Sequence, residues 1–339
     1  MPGDTDNRRQ SPDEQAGKGG KNSADSSGQE ASYYDVPMLK PPVWQWEIAT
    51  YFFLGGLASG AYILGRLAER FGGEDYREIT RAGTAIAAVA AIPCSPLLIK
   101  DLGDPKRFHH MLRVFKPKSP MNLGSWVLTA CSALIGLATV REVLDSKQED
   151  LPTEAVRVAD GAINISDIVG LPLMLLLGSY TGILLSATAT PVWSRNRWLG
   201  PLFISSAMST GAAAISLALE ATSEAKSPAK DALQKVETTA RVVEGAMLSG
   251  YLVSCGELNE PLTKGKFAPH LWGGTVGGGF MLPELLERLP VGGKVRRWIK
   301  IIADMSTLLG GLALRWSILF AGHDSANDPE AARQASRPK

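Results

Sequence analysis

The sequence predicts an all-α integral membrane protein of about eight transmembrane helices, and three observations carry that prediction. Apolar stretches of about twenty residues recur between two polar ends, each long enough to cross a ~30 Å hydrocarbon core at ~1.5 Å per residue. Trp44, Trp46, Trp126, Trp193 and Trp198 fall at the edges of those stretches, where an aromatic belt sits. The charges, 20% of the residues, gather in the tails and connections. That segregation is why a mean hydropathy of only +0.01 hides the membrane character.

In order, the predicted helices cover residues 46–66, 82–100, 123–140, 164–187, 199–219, 238–258, 271–286 and 299–321. The first carries Gly56 and Gly60 beside Gly55 and Ser59, a GxxxG spacing that lets two backbones approach. The seventh is short and holds Gly273, Gly274, Gly277, Gly278 and Gly279. Close helix packing and a re-entrant or broken segment both account for those glycines. Residues 1–32 read as a disordered polar tail, 33–322 as the membrane domain, and 323–339 as a polar C-terminal tail. The first 32 residues have no apolar h-region, so they read as neither a cleavable signal nor a twin-arginine signal despite Arg8 and Arg9.

A net charge of +1 gives no reason to invoke nucleic acid. Cys94, Cys131 and Cys255 are far apart and form no CxxC, so the protein is expected to hold no iron–sulfur cluster of its own. An even number of helices puts both termini on one side. Loops on that side carry ten Lys and Arg residues, and the other side carries sixteen when Arg241 and Lys300 at its edge are included. By the positive-inside rule both termini lie on the periplasmic or outer side of the cytoplasmic membrane, although the basic 100–122 loop argues the other way.

That loop, between the second and third helices, is the longest signal in the sequence. It runs Asp101-Leu-Gly-Asp-Pro-Lys-Arg-Phe-His-His-Met-Leu-Arg and then Lys118-Ser-Pro-Met-Asn-Leu-Gly-Ser-Trp126. It mixes basic groups with Phe108, Met111, Leu112, Phe115 and Met121. Such a mixture suits a docking surface for another protein, or an amphipathic segment resting on lipid headgroups.

The same loop resembles a pattern of the NrfD/polysulfide reductase membrane-subunit family, DLG-x-P-x-RF-x-x-ML-x-x-F-x-P-x-SPM-x-x-G-x-W. Three further segments are similar to that family in the same order. They are Trp44-Gln-Trp-Glu-Ile-Ala-Thr-Tyr at the opening, Tyr180-Thr-Gly-Ile-Leu-Leu-Ser with Pro191-Val-Trp193, and Leu314-Arg-Trp through Gly322. The resemblance implies two four-helix bundles and electron exchange with a quinone, either menaquinone or ubiquinone. It also implies a ferredoxin-like subunit with [4Fe–4S] clusters and, beyond that, a molybdopterin catalytic subunit. On this reading the protein is the quinone-interacting membrane anchor of a respiratory oxidoreductase of the prokaryotic cytoplasmic membrane.

Carried over residue by residue, the resemblance places a quinone hydrogen-bond donor at Tyr180. A phenol suits that role because it stays protonated while its ring packs on the quinone. Where the related first helix has Asn and His, this sequence has Glu47 and Tyr51, four residues apart and so on one helical face. That departure leaves the polar pair to Glu47 and Tyr51, against plain readings as an interfacial carboxylate and a belt aromatic. His110, beside His109, is a further quinone or proton contact, against simple solvation of loop histidines. Asp101, Arg107, Phe108, Arg113, Ser119, Pro120, Met121 and Trp126 form the expected partner dock. Asp304, Glu244 and Asp167 are candidates for a proton path, since ionisable groups within a membrane cost several kcal/mol unless paired or hydrated. Asp304 reads as the deepest, while Glu244 and Asp167 also fit helix-end solvation.

Two rival classes compete with the anchor. A haem-bearing cytochrome b anchor needs histidines projecting from mid-membrane positions, and His109, His110, His270 and His323 all fall in loops or at helix ends. A secondary transporter should show internal repeats and broken helices around a midplane site. No repeat is evident, and only the seventh helix invites that reading.

Overall fold

The computed structural model describes residues 39–40, 42–102, 104–145, 153–194, 196–222 and 227–336, with side chains from 168 in the fourth stretch and from 228 to 335 in the last. The predicted tail of residues 1–32 lies outside them. Among the described residues every regular element is helical.

Helix α1 (Trp46–Gly72) starts behind Pro42 and stops at Gly73, whose φ of 65° ends the helix. A 3₁₀ turn (Gly73–Tyr76) reverses direction into α2 (Arg77–Ala91), with Glu78 in its first turn, where a negative charge meets the helix dipole favourably. The single second helix predicted at 82–100 is two pieces. Pro93 lacks an N–H and separates α2 from α3 (Cys94–Asp101). A 3₁₀ turn (Pro105–Arg107) and the short α4 (His110–Arg113) then lead into α5 (Pro120–Asp145) and α6 (Thr153–Ser186), which carries Pro172 inside it.

Helices α7 (Leu199–Thr222) and α8 (Ser227–Cys255) follow. The prediction began α8 at 238 because its first turns are charged. It begins eleven residues earlier with Pro at its second position, where proline is tolerated. After a 3₁₀ turn (Gly256–Asn259) and the short α9 (Glu260–Thr263), the glycine-rich seventh segment is continuously helical: a π-helix (His270–Met281) running into α10 (Leu282–Glu287). The broken alternative therefore does not hold. Helix α11 (Gly293–Asn327) is 35 residues long, roughly 50 Å. It carries helix past the predicted boundary at 322, and α12 (Pro329–Ser336) follows it.

Among the described residues, five stretches are long and apolar enough to cross a membrane: Trp46–Asp101, Pro120–Asp145, Ile168–Ser186, Leu199–Thr222 and Gly293–Asn327. The first holds 56 residues and folds back on itself at the Gly73–Tyr76 turn. Helices α1, α2, α5 and α6 pack together; α7 and α8 pack with α11, the π segment and α10; and α1 and α6 join the groups by packing on α7. One correction concerns the aromatic belt. Trp46 and Trp198 are well exposed, but Trp193 is fully buried, stacked on Trp44 at 5.9 Å and donating from Nε1 to the Ile318 carbonyl at 2.7 Å.

Candidate functional site

The start of α1, the end of α6 and the start of α5 meet at one end of the helices, and α3 and α4 fold over them. They enclose a narrow cleft of about 30 Å³ lined by Ile48, Tyr51 and Phe52 of α1, Leu98 and Asp101 of α3, and Met111 of α4. Met121, Gly124 and Ser125 of α5, Tyr180 and Leu184 of α6, and Trp44 complete it. The wall is mostly aliphatic and aromatic, with a few polar atoms set in it. A flat, mostly apolar ligand with polar edges asks for such a lining.

Tyr180 is the best-positioned of the polar groups. Its hydroxyl donates to the Pro120 carbonyl at the head of α5, and its ring lies against the backbone of Gly124. A Cβ at 124 would collide with the phenol, so glycine there lets the ring reach Pro120. Tyr51, one helix away, presents its buried ring to the same cleft. Asn122 binds the covering loop down: its Nδ2 donates to the Met111 carbonyl at 2.6 Å, and its Oδ1 accepts from the Lys116 N–H at 2.7 Å. Sequence reasoning passed over Asn122, whose place in the SPMN run was the available signal.

The other candidates divide. Glu47 is buried but does not line the cleft, since Lys100 of α3 takes it in an ion pair at 3.2 Å while lying 4.5 Å over the Trp46 ring. The protein thus uses Glu47 to fasten α3 onto α1. His110 is exposed, with His109 edge-on to it at 4.3 Å, and its neighbour Met111 enters the cleft instead.

Among the docking candidates, Arg107, Phe108 and Arg113 are exposed, and Arg107 pairs with Asp104 at 3.0 Å. Asp101 and Met121 belong to the cleft wall, and the Pro120 carbonyl takes the Tyr180 hydroxyl. Ser119 is half-buried and caps a turn through Lys116, and half-buried Trp126 packs edge-on against Phe115 at 5.9 Å.

The comparisons with known proteins agree with this architecture. The family model for polysulphide reductase, NrfD, matches residues 35–325. The chain belongs to the polysulphide reductase/NrfD family. It is 30% identical over 298 residues to the C subunit of polysulfide reductase from Wolinella succinogenes, an overlap of 83% of this sequence and 94% of that one. It is 27% identical over 311 residues to protein NrfD of Escherichia coli, an overlap of 83% and 95%. Against the NrfD homolog of Haemophilus influenzae it is 24% identical over 313 residues, an overlap of 85% and 97%. Membership of this family, together with the apolar spans, makes it an integral membrane protein.

The proton-path candidates lie among the second group of helices. Glu244, expected to be solvated near a helix end, is instead buried in the middle of α8 because that helix starts so early. It bonds to Ser206 and faces Arg315. Arg315 is itself fully buried and donates to the carbonyls of Phe52 (3.2 Å), Phe203 (3.3 Å) and Gly311 (2.9 Å) and to Ser206 Oγ (2.7 Å). These acceptors use most of its five N–H donors. Asp304 is fully buried on α11 beside Lys300. Asp167 falls on α6, with its side chain outside those described.

Sequence reasoning missed Glu237, which accepts from Arg241 at 2.7 Å and from Lys300 at 2.6 Å. The signal was present: Glu237, Arg241 and Glu244 recur at i, i+4 and i+7, and Lys300 and Asp304 at i and i+4, so each set shares one helical face. Arg241 and Lys300 are interior ion-pair residues, so the loop tally of sixteen loses two and becomes fourteen against ten.

Proposed function

We propose that this protein is the quinone-reactive membrane anchor of a respiratory oxidoreductase, crossing the membrane eight times as two four-helix bundles. The cleft beneath the 101–126 loop is its quinone site, and the basic surface of that loop receives an iron–sulfur partner bearing [4Fe–4S] clusters. A molybdopterin subunit beyond that partner completes the complex. One observation carries the reading: a phenol hydroxyl, from Tyr180, set in a mostly apolar cleft directly under the exposed basic loop. The relative named as a lettered subunit of polysulfide reductase supports placement in a multi-subunit enzyme. The fourteen-to-ten charge bias supports termini, cleft and dock on the outer face of the prokaryotic cytoplasmic membrane.

The residues present fit menaquinone or ubiquinone. Once the cleft widens, its aromatic and aliphatic walls flank the ring and the start of the tail, and Tyr180 offers the donor for a ring oxygen. A bound quinone or quinol supplies two-electron, two-proton redox chemistry at the membrane surface. The protein's own part is to orient the ring through Tyr180 and Tyr51. It also lines the cleft with Met111, Met121 and Leu184, and holds a carboxylate, Asp101, in the cleft wall. Because Tyr180 already donates to Pro120, it binds a ligand by exchanging one acceptor for another. Its net contribution is therefore that of a single hydrogen bond, ~0.5–1.5 kcal/mol.

Tyr180→Phe in the assembled complex should lower affinity for quinone analogues roughly three- to ten-fold while assembly persists. Unchanged turnover across the whole range of quinone concentration would remove Tyr180 from the site.

A further inference from the structure

The second group of helices buries more negative than positive charge. Glu237, Glu287 and Asp304 bring carboxylate oxygens within 4.8 Å of one another. The Lys300 ammonium sits among them, 2.6 Å from Glu237, 2.8 Å from Glu287 and 2.7 Å from Asp304. Arg241 is the second cation, 2.7 Å from Glu237 and 3.6 Å from Glu287. Glu284 also approaches Arg241, at 3.6 Å, but it is partly exposed and takes Arg288 at 2.7 Å. Farther along α8, Glu244 and Arg315 offset one another. The interior cluster is thus three carboxylates against two cations. Of the three, Asp304 pairs with one cation where Glu237 and Glu287 each pair with two: it is fully buried, with Lys300 on Oδ1 and Ser216 beside it.

A lone negative charge in a membrane interior costs several kcal/mol. The Lys300 ammonium already sits among the oxygens, so a proton on one carboxylate is the simplest way to relieve the excess charge.

The cluster also has a way to water, and it leads away from the cleft. A polar vestibule of about 310 Å³ opens beside Lys300 and Glu287, with Ser216, Gln234 and Arg296 in its wall. The Lys230–Glu220 pair, at 3.0 Å, together with Asp231 and Arg297, completes its charged lining. The vestibule lies at the opposite end of the helices from the cleft. Helix α7 starts at Leu199, against Gly182 near the end of α6 and hence beside the cleft. It reaches Ser216 seventeen residues later, roughly 25 Å along its axis.

From this geometry we infer that Asp304 is a proton-binding site, loaded from the membrane face opposite the quinone cleft and held by Lys300, Glu237 and Glu287. Loading moves one proton from vestibule water to an Asp304 carboxylate oxygen. The cluster then becomes two carboxylates against two cations, and no electron moves. The inference goes beyond the quinone reading and holds whether or not the cleft takes quinone.

The test is infrared difference spectroscopy of the full-length protein in lipid between alkaline and acidic buffers. The wild type should show a carbonyl band of a protonated, buried carboxylic acid that shifts in heavy water. Asp304→Asn, which mimics the neutral state, should lose the band, and Asp304→Glu should move it without abolishing it. In vesicles of uniform orientation, a pH jump on the vestibule side should change the band, and one on the cleft side should not. A band that persists in Asp304→Asn, no such band in the wild type, or a response from the cleft side alone would overturn the proposal. Should the Asn variant fail to fold, an unshifted band in Asp304→Glu overturns it equally. None of these readouts involves quinone turnover, so they fail independently of the Tyr180 experiment.

Discussion

The Tyr180 hydroxyl has a protein acceptor on one side and a cleft on the other, and Gly124 controls which geometry it keeps. The ring rests on the bare Cα of residue 124, and any side chain there would strike the phenol. Gly124→Ala should therefore push the ring off Pro120, narrow the cleft and cost ~1–3 kcal/mol as overpacking does. We expect a lower unfolding temperature in detergent and weaker binding of quinone analogues than Tyr180→Phe shows, since that variant keeps the cleft's shape. Equal affinity of Gly124→Ala and the wild type would mean that the ring position is not what shapes the site. At this scale Tyr180 was readable because a phenol stands at a recognisable motif position. Asp101 and Pro120 were read as dock residues, yet Asp101 lies in the cleft wall and Pro120 holds the Tyr180 hydroxyl. A one-dimensional pattern does not show that the loop folds back under itself, nor that Asn122 holds it there.

Among the elements, the π segment and α11 make the tightest crossing in the second group of helices. Gly279 and Gly310 meet backbone to backbone, Thr275 Oγ1 donates to the Gly310 carbonyl at 3.3 Å, and Ser306 Oγ donates to the Gly278 carbonyl. Without a hydrophobic driving force between helices in lipid, such close approach and interhelical hydrogen bonding supply the association. Gly310→Ala would place a methyl on the Gly279 backbone and should cost ~1–3 kcal/mol. It should be read as a fall in thermal stability with the helical content of the folded state unchanged. A neutral result would show that α11 and the π segment can slide apart without cost. The five glycines at 273–279 announced close packing, but their period fits α, π and broken helix alike, so the sequence left the element open. Elsewhere the long apolar spans were legible in sequence. The charged first turns of α8 and α11 were not, because Glu237, Arg241 and Lys300 pair inside the fold while neighbouring charges line the vestibule.

For the whole molecule, the two ends of the helices differ in kind, and the cleft end carries an asymmetric charge. Over the first group of helices the covering loop exposes Lys106, Arg107, Arg113, Lys116 and Lys118. Over the second, a groove formed by the 256–265 turn and the ends of α11 and α12 holds Glu257, Glu260, Asp324, Asp328 and Glu330 with Lys264. A partner seated on the basic side is oriented by the contrast, since rim charges set encounter and register more than final affinity. Arg107 is held only by Asp104 in an exposed i, i+3 pair, which contributes ~0–1 kcal/mol to the fold. Reversing Arg107 and Arg113 together to Glu should therefore leave the anchor folded in the membrane. At ~1–2 kcal/mol for each reversed charge, it should weaken the proposed iron–sulfur partner on the order of a hundred-fold. Wild-type attachment should loosen with added salt as these exposed charges are screened, and attachment of the double variant should respond less because the attraction is already gone. The measurement is the iron-to-anchor ratio after affinity purification across a salt series. A full complement of iron with the double variant at every salt concentration would move the dock away from this loop.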